Sequence, residues 1–147
     1  MRAVVCRGYD GEPVLEERAS LQPGAGQVLV DVRAAGLNFA DALIVRGRYQ
    51  IKPQLPFVPG SEIAGRVAAL GEGTTGLRIG DRVFGFVGLG GFAERVVTSP
   101  RTLWPLPAAL GLHTQVRQAK DIRLLLRDLV RLHVLHDRVR RRPGMRE

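Results

Sequence analysis

Turn-forming residues recur at short intervals through about the first three quarters of the chain, and they limit the length of any helix or strand there. Of the 147 residues, 18 are glycine and 9 are proline, and 16 of these glycines and 8 of these prolines lie within residues 1–110. Glycine adopts turn conformations that other residues avoid, and proline interrupts helices and central strands. Many short elements between such turns are typical of a β-sandwich or β-barrel.

The segments between the turns have the residues expected of short strands. Val28, Val30 and Val32 lie at every second position, as one face of a strand requires, although Leu29 interrupts the alternation. The predicted strands are residues 2–7, 14–17, 28–34, 63–70, 82–86, 92–98 and 102–106. We therefore predict a mainly β fold for residues 1–110.

One segment departs from the strand pattern. Residues 38–46, NFADALIVR, contain several helix formers. Asn38 is a favourable N-cap, and Gly47 is a favourable helix stop. We predict one or two helical turns here, inserted between strands.

Residues 111–147 differ in composition from the rest of the chain. They carry ten Lys and Arg against four Asp and Glu, whereas residues 1–110 carry twelve against ten. Residues 115–142 contain no Gly or Pro, and their apolar residues recur close to helical spacing. These are Ile122, Leu125, Leu126, Leu129, Leu132, Leu135 and Val139. The pattern predicts a basic, amphipathic C-terminal helix; the alternative is a segment that was never selected to pack.

The overall composition excludes several classes of protein. A hydrophobic fraction of 45% and a charged fraction of 24% are ordinary for a globular protein. No apolar run approaches the roughly 18–20 residues that cross a bilayer, and the N-terminus lacks the apolar segment of a secretory signal. Cys6 is the single cysteine, which excludes an intramolecular disulfide and a cysteine-rich zinc site. We expect a cytoplasmic protein without a membrane partner.

Four sequence blocks within residues 1–110 resemble one known family. They are GQVLVDVRAAGLNFAD (residues 26–41), RGRYQIKPQLPFVPGSEIAG (46–65), LGEGTTGLRIGDRVFGF (70–86) and GGFAERVV (90–97). Their order and spacing are similar to those of the N-terminal, GroES-like catalytic domain of the medium-chain dehydrogenase/reductase superfamily. The most similar branch is the zinc-independent quinone oxidoreductases, the zeta-crystallin-like group. The resemblance implies a partly open β-barrel with short helices.

The resemblance also implies that no catalytic zinc is bound. Zinc-dependent members of the superfamily have a Cys ligand where this chain has Asn38, and a His ligand where it has Ser61. Asn and Ser are poor zinc ligands compared with thiolate and imidazole. We therefore expect no metal site.

Zinc-independent relatives transfer hydride from NADPH to a quinone or an α,β-unsaturated carbonyl, and the resemblance implies NADPH as cofactor here. The negative charge that develops on the substrate oxygen must then be met by hydrogen-bond donors. By position, Asn38, Asp41 and Tyr49 match polar family residues near the nicotinamide and the substrate. The resemblance thus implies these three as catalytic residues, with Asn38 also contacting the cofactor. A further tyrosine of some members is Leu43 here.

Each of these residues also has a purely structural alternative. Asn38 is a candidate helix cap, and Asp41 is a candidate partner of the helix dipole. Tyr49 is a candidate for packing on nearby prolines. Glu62, which lies beside the candidate site, has the alternative of a buried structural carboxylate.

The resemblance implies a Rossmann domain after the barrel, but nothing after residue 110 resembles one. Gly71, Gly73, Gly76 and Gly80 look like a phosphate-binding loop, yet they do not open the strand-to-helix unit that a dinucleotide site requires, and we predict turns. We therefore expect residues 1–110 to be a GroES-like domain of a truncated or frameshifted family member that is inactive alone. A natural stand-alone barrel and an intended interaction helix at residues 111–147 are the alternatives.

Two other classes of function follow from the same features. A barrel without its second domain would expose apolar surface, which favours a non-catalytic binding or assembly module. The basic tail favours non-specific contact with phosphates, but no DNA-binding motif is present, so we expect no specific nucleic-acid partner. The resemblance implies a small quinone or enone as substrate, and it leaves the oligomeric state open between a monomer and a homo-oligomer.

Overall fold

The computed structural model describes residues 1–9, 11–111 and 120–121. The described part is made of antiparallel strands with one α-helix and one short 3-10 helix. The strands are β1 (Arg2–Val5), β2 (Val14–Glu17), β3 (Val28–Gly36), β4 (Glu62–Leu70), β5 (Arg82–Phe86), β6 (Arg95–Thr98), β7 (Leu103–Pro105) and β8 (Lys120–Asp121). The α-helix α1 spans Phe39–Val45, and the 3-10 helix spans Pro100–Thr102. The prediction of a mainly β fold is confirmed.

The strands form two sheets. β1 and β2 make a two-stranded sheet in which Arg2 lies opposite Glu17 and Val5 lies opposite Val14. The larger sheet has the order β6-β3-β4-β5-β7, and β8 also pairs with β3. β3 lies between its neighbours: it pairs with β4 along most of its length and with β6 through residues 28–31. This central strand leads directly into α1.

The main core lies on one face of the larger sheet. Val28, Val30 and Val32 of β3 are almost fully buried, as the alternation predicts. Leu29, which interrupts that alternation, is buried as well, so this part of β3 is covered on both faces. Phe92 is only 2% exposed and belongs to the same cluster as the three valines. Burial of each such side chain contributes about 1.5–3 kcal/mol before the entropy of ordering is counted.

Strand boundaries follow the pairing partners. The predictions for β2 and β5 are confirmed at both ends. β6 instead begins at Arg95, three residues after its predicted start, because residues 92–94 bond to β1. The Glu94 N–H donates to the Arg2 carbonyl at 3.0 Å. The local sequence pattern contains no signal for this change of partner.

The helix α1 is the one that the sequence predicts, shortened by one residue at each end. Asn38 is the N-cap, with extended backbone angles of φ −105° and ψ 155°, and Arg46 is the C-cap. Gly47 follows with φ +62°, and a Cβ at this position would lie 2.9 Å from Tyr9 Cγ. Both observations explain why the helix stops at a glycine.

Within the described residues, no helix has the length and apolar character needed to cross a membrane.

The glycines at 71, 73, 76 and 80 lie in the connection between β4 and β5. Three of them have positive φ: +71° at Gly73, +82° at Gly76 and +92° at Gly80. The connection joins two antiparallel strands, and it does not lead from a strand into a helix. The prediction that these are turn glycines is confirmed.

The predicted tail helix, residues 115–142, lies outside the described residues except at Lys120–Asp121. These two residues form β8, with Lys120 opposite Ala35 and Asp121 opposite Ala34. They are therefore strand rather than helix. The pairing is available because β6 occupies the same edge of β3 only through residues 28–31.

Hydrogen bonds from Arg2 of β1 to the Glu94 side chain link β1 to the segment directly before β6. Its Oε2 accepts a hydrogen bond from the Arg2 N–H at 2.9 Å, and its Oε1 accepts one from Arg2 Nε at 2.8 Å. These bonds, with the backbone N–H of Arg2 contributing most, hold the pKa of Glu94 below its ordinary value. A carboxylate whose pKa is lowered by folding stabilises the protein above its unfolded-state pKa, and this contribution is lost as the pH falls through the folded-state pKa.

We expect Glu94→Gln to lower the free energy of unfolding by about 1 kcal/mol at neutral pH, since the bonds are charge-assisted but partly exposed. The deficit should shrink as the pH falls below 4.5, the ordinary glutamate value. Urea denaturation at several pH values is the measurement, with the exposed turn variant Glu72→Gln as control. A deficit that stays constant down to pH 3 would contradict the assignment.

Candidate functional site

The first turn of α1 brings together two of the three predicted site residues. The Asn38 N–H donates to Asp41 Oδ2 at 2.8 Å, and the Asp41 N–H donates to the Asn38 carbonyl at 3.0 Å. The two residues form a capping box, in which an acidic side chain at the third helical position folds back on the N-cap. The spacing that predicts the helix start therefore also fixes the geometry of this pair.

Asp41 is a buried carboxyl group with a third neighbour, Ser61. Asp41 is 2% exposed and Ser61 is 6% exposed. Ser61 Oγ donates to Asp41 Oδ1 at 3.4 Å. Burial raises the pKa of Asp41, and the nearby Glu62 carboxylate raises it further, whereas the hydrogen bonds from Asn38 and Ser61 act in the opposite direction. Burial is the largest of these effects.

Close backbone packing places Ser61 opposite Asp41. Gly60 has φ +95°, and a Cβ there would lie 2.4 Å from Phe92 Cδ1. The Gly60 carbonyl accepts from the Gly91 N–H at 2.8 Å, and the Ser61 carbonyl accepts from the Val87 N–H at 2.7 Å. The hydrogen bonds to the Gly60 and Ser61 carbonyls therefore fix the backbone on which Ser61 lies, directly before β4.

Exposed aromatic side chains lie next to this network in sequence or in register. Phe39 follows Asn38 and is 79% exposed, although it is the first residue of a helix. Phe86 is 56% exposed and lies opposite Glu62, the residue after Ser61. Glu62 is partly buried. Two exposed aromatic side chains, one in α1 and one in β5, therefore neighbour the network.

Tyr49, the third predicted site residue, belongs to a different cluster. It packs against the buried side chains of Cys6, Ile44 and Phe57. Burial raises the pKa of the Cys6 thiol to about 11, so this thiol is protonated at neutral pH. The structure thus supports a packing role for the Tyr49 ring, and the function of its hydroxyl stays a prediction.

Sequence analysis missed the roles of Tyr9 and Ser61. The Tyr9 hydroxyl donates to the Pro53 carbonyl, and the Tyr9 ring lies 6.2 Å from that of Phe57. These contacts join the loop after α1 to the segment that follows β1. The sequence gives Ser61 no role beyond the fact that it stands where zinc-dependent relatives have a His ligand. Its contact with Asp41 joins residues 20 positions apart, and no local pattern predicts it.

The described residues can be compared with the needs of two groups, a metal ion and the NADPH that the resemblance implies as cofactor. Among them, no three His, Cys, Asp or Glu side chains come together as a metal site. Their one α-helix has seven residues, and Asp41 places a carboxylate in its first turn, which disfavours a phosphate group there. The Asn38 amide offers hydrogen-bond donors that suit the nicotinamide and a carbonyl substrate. Among the residues at the start of α1, the Asn38 amide is therefore the group whose chemistry suits the nicotinamide.

Comparison with known proteins relates the chain to one family. Residues 24–108 match the model of the alcohol dehydrogenase GroES-like domain. Quinone oxidoreductase-like protein 2 homolog of Nematostella vectensis is 46% identical over 112 residues, which are 75% of this chain and 31% of that protein. The chain therefore spans about a third of the length of the curated relatives that it matches.

Solved structures give the same result. Human synaptic vesicle membrane protein VAT-1 homolog-like protein superposes with a TM-score of 0.73 at 37% identity, over 77% of this chain and 37% of that chain. The quinone oxidoreductase of Thermus thermophilus, solved also as its complex with NADPH, gives a TM-score of 0.67 at 34% identity, over 77% of this chain and 35% of that chain. In each case the likeness covers one part of a longer protein.

Proposed function

The chain belongs to the alcohol dehydrogenase GroES-like domain family, and from this premise we propose that it supplies the substrate-facing half of an NADPH-dependent oxidoreductase site. The substrate class that we propose is a quinone or an α,β-unsaturated carbonyl. The observation that carries the proposal is the network of Asn38, Asp41 and Ser61, which fixes the backbone of Asn38, the residue that carries a side-chain amide at the start of α1. The quinone oxidoreductase-like relative and the NADPH complex of the Thermus enzyme support the reaction and the cofactor.

In this proposal the protein stabilises charge without a metal. NADPH, when bound, would supply the hydride. Hydride addition leaves negative charge on the substrate oxygen, and the Asn38 amide N–H groups would donate hydrogen bonds to it. Tyr49, on the loop after α1, is the second candidate donor. Asn38 and Ser61 are poor zinc ligands, which favours this zinc-independent scheme.

The test joins this half of the site to a nucleotide-binding half. Residues 1–108 of this chain would replace the corresponding N-terminal part of the Thermus thermophilus quinone oxidoreductase. We expect the chimera to oxidise NADPH in the presence of a small para- or ortho-quinone. The reaction is measured as the loss of absorbance of the reduced nicotinamide. We expect the 147-residue chain alone to show no turnover, because it matches only about a third of the length of its relatives, and the protein must hold the cofactor in place for hydride transfer.

The outcomes separate two functions. Turnover by the chimera supports the proposal, and turnover by the chain alone would overturn only the expectation that it is inactive. A folded chimera that binds NADPH but reduces none of the quinones would contradict the proposal. It would favour a non-catalytic binding module instead, for which the exposed side chains of Phe86 and Trp104 are the candidate surface.

A further inference from the structure

We propose that Asp41 and Ser61 are positioning residues that hold Asn38 in place, and that neither of them contacts the substrate. The inference rests on the proposed function of Asn38 as a hydrogen-bond donor. It changes the role of Asp41, which the family resemblance implies to be catalytic. It also gives Ser61 a role that the sequence does not indicate.

Each of the two carboxylate oxygens of Asp41 accepts a hydrogen bond. Oδ2 accepts from the Asn38 N–H at 2.8 Å, and Oδ1 accepts from Ser61 Oγ at 3.4 Å. With 2% of its surface exposed, Asp41 leaves no oxygen open to a substrate that approaches from solvent. A carboxylate in this position orients the two residues that donate to it and does not bind a substrate.

Asn38 needs such support because of where it lies. It is in the two-residue connection between Gly36, the end of β3, and Phe39, the start of α1. The Asp41 bond to its backbone N–H is charge-assisted, and such bonds are stronger than neutral ones. This bond fixes the backbone of Asn38 and with it the direction in which the side chain leaves the chain.

Ser61 supplies the second support. The Ser61 hydroxyl adds to the hydrogen bond that the Ser61 backbone N–H gives the Asp41 carboxylate, and both donors disfavour rotation of this buried group away from Asn38. Ser61 is itself fixed, because its carbonyl accepts from the Val87 N–H at 2.7 Å. Contacts therefore run from the end of β5, through the start of β4, to the first turn of α1.

The groups around Asp41 act on its pKa in opposite directions. Burial and the Glu62 carboxylate both favour the protonated form of Asp41, and the donors Asn38 and Ser61 oppose them. Loss of the Ser61 hydroxyl would shift the balance further toward the protonated form. A protonated Asp41 would hold the Asn38 N–H with a weaker, neutral bond.

The experiment uses the complete 147-residue chain, labelled with ¹⁵N and ¹³C, and needs no turnover. The variant is Ser61→Ala, and the exposed Ser20→Ala is the matched control. NMR would follow the Asn38 backbone N–H, the Asn38 side-chain amide and the pH titration of the Asp41 carboxyl carbon. We expect Ser61→Ala to raise the titration midpoint of Asp41, to shift both Asn38 signals, and to speed hydrogen exchange of the Asn38 N–H about tenfold. Ser20→Ala should change none of these.

Two further variants keep the test decisive if Ser61→Ala does not fold. Ser61→Thr retains a hydroxyl and should preserve the Asn38 signals. Asp41→Asn should abolish the dependence of the Asn38 N–H signal on the titration of residue 41. Asn38 signals that are the same in Ser61→Ala and in the wild type, or that keep their pH dependence in Asp41→Asn, would overturn the proposal. An inactive chimera with these NMR effects present would instead refute the proposed function alone.

Discussion

Gly65→Ala should lower the free energy of unfolding by about 3 kcal/mol, enough to unfold a marginal domain. Gly65 lies in β4 opposite Val32 of β3. A Cβ added to Gly65 would lie 2.2 Å from the Asp31 carbonyl oxygen and 2.9 Å from Val30 Cγ1. The backbone of β3 cannot move aside, since it is held between β4 and β6. Glycine is therefore needed for close approach of two strands, and not for an unusual φ.

Thermal or urea unfolding of the purified variant is the measurement. Gly8→Ala is the matched control, because a Cβ at Gly8 would meet no atom within 4 Å. We expect the control to stay within about 0.5 kcal/mol of the wild type. Gly85→Ala should behave like Gly65→Ala, since its Cβ would lie 2.1 Å from the Thr102 carbonyl oxygen. Equal stabilities of the Gly65 and Gly8 variants would mean that the strands are farther apart than the structure has them.

Asn38→Ala should reduce kcat/KM of the chimera for the quinone by about 100-fold, the typical effect of removing one donor to a developing oxyanion. The variant also removes a helix cap, which by itself would lower stability by about 1 kcal/mol. Activity therefore has to be compared with a variant that keeps the cap.

Asn38→Asp provides that comparison. Aspartate is as good an N-cap as asparagine, but it has no amide donor and adds negative charge beside the developing oxyanion. We expect the retained cap to be offset in part by repulsion between the new carboxylate and Asp41, and the loss of activity to be at least as large as in Asn38→Ala. Full activity of Asn38→Asp would show that Asn38 is a helix cap only, which is the structural alternative for this residue.

Local patterns predicted a large part of this protein. The spacing of turn residues predicts β2 and β5 to the residue, because a short strand between two turns has little freedom in its ends. The residues Asn38, Asp41 and Gly47 predict α1, because a helix is started and stopped by its nearest neighbours in sequence. The four sequence blocks indicate the GroES-like family, and the match over residues 24–108 confirms it.

The candidate site was predicted less completely. The sequence predicts Asn38 and Asp41, and the structure brings them together; it also predicts Tyr49, which lies in a separate apolar cluster. The catalytic roles of all three stay predictions. Their donor and acceptor chemistry is visible in the sequence, but which side chains face one another is not.

The sequence by itself determined the mainly β character of residues 1–110, the bounds of β2 and β5, the position of α1 and the family, because these depend on local patterns and short sequence blocks. Only the tertiary structure decided that Ser61 faces Asp41, that Gly65 must be glycine, and that residues 92–94 pair with β1. Such contacts join residues far apart in sequence, and the desolvation that raises the pKa of Asp41 depends on everything packed around it. No local pattern contains that information.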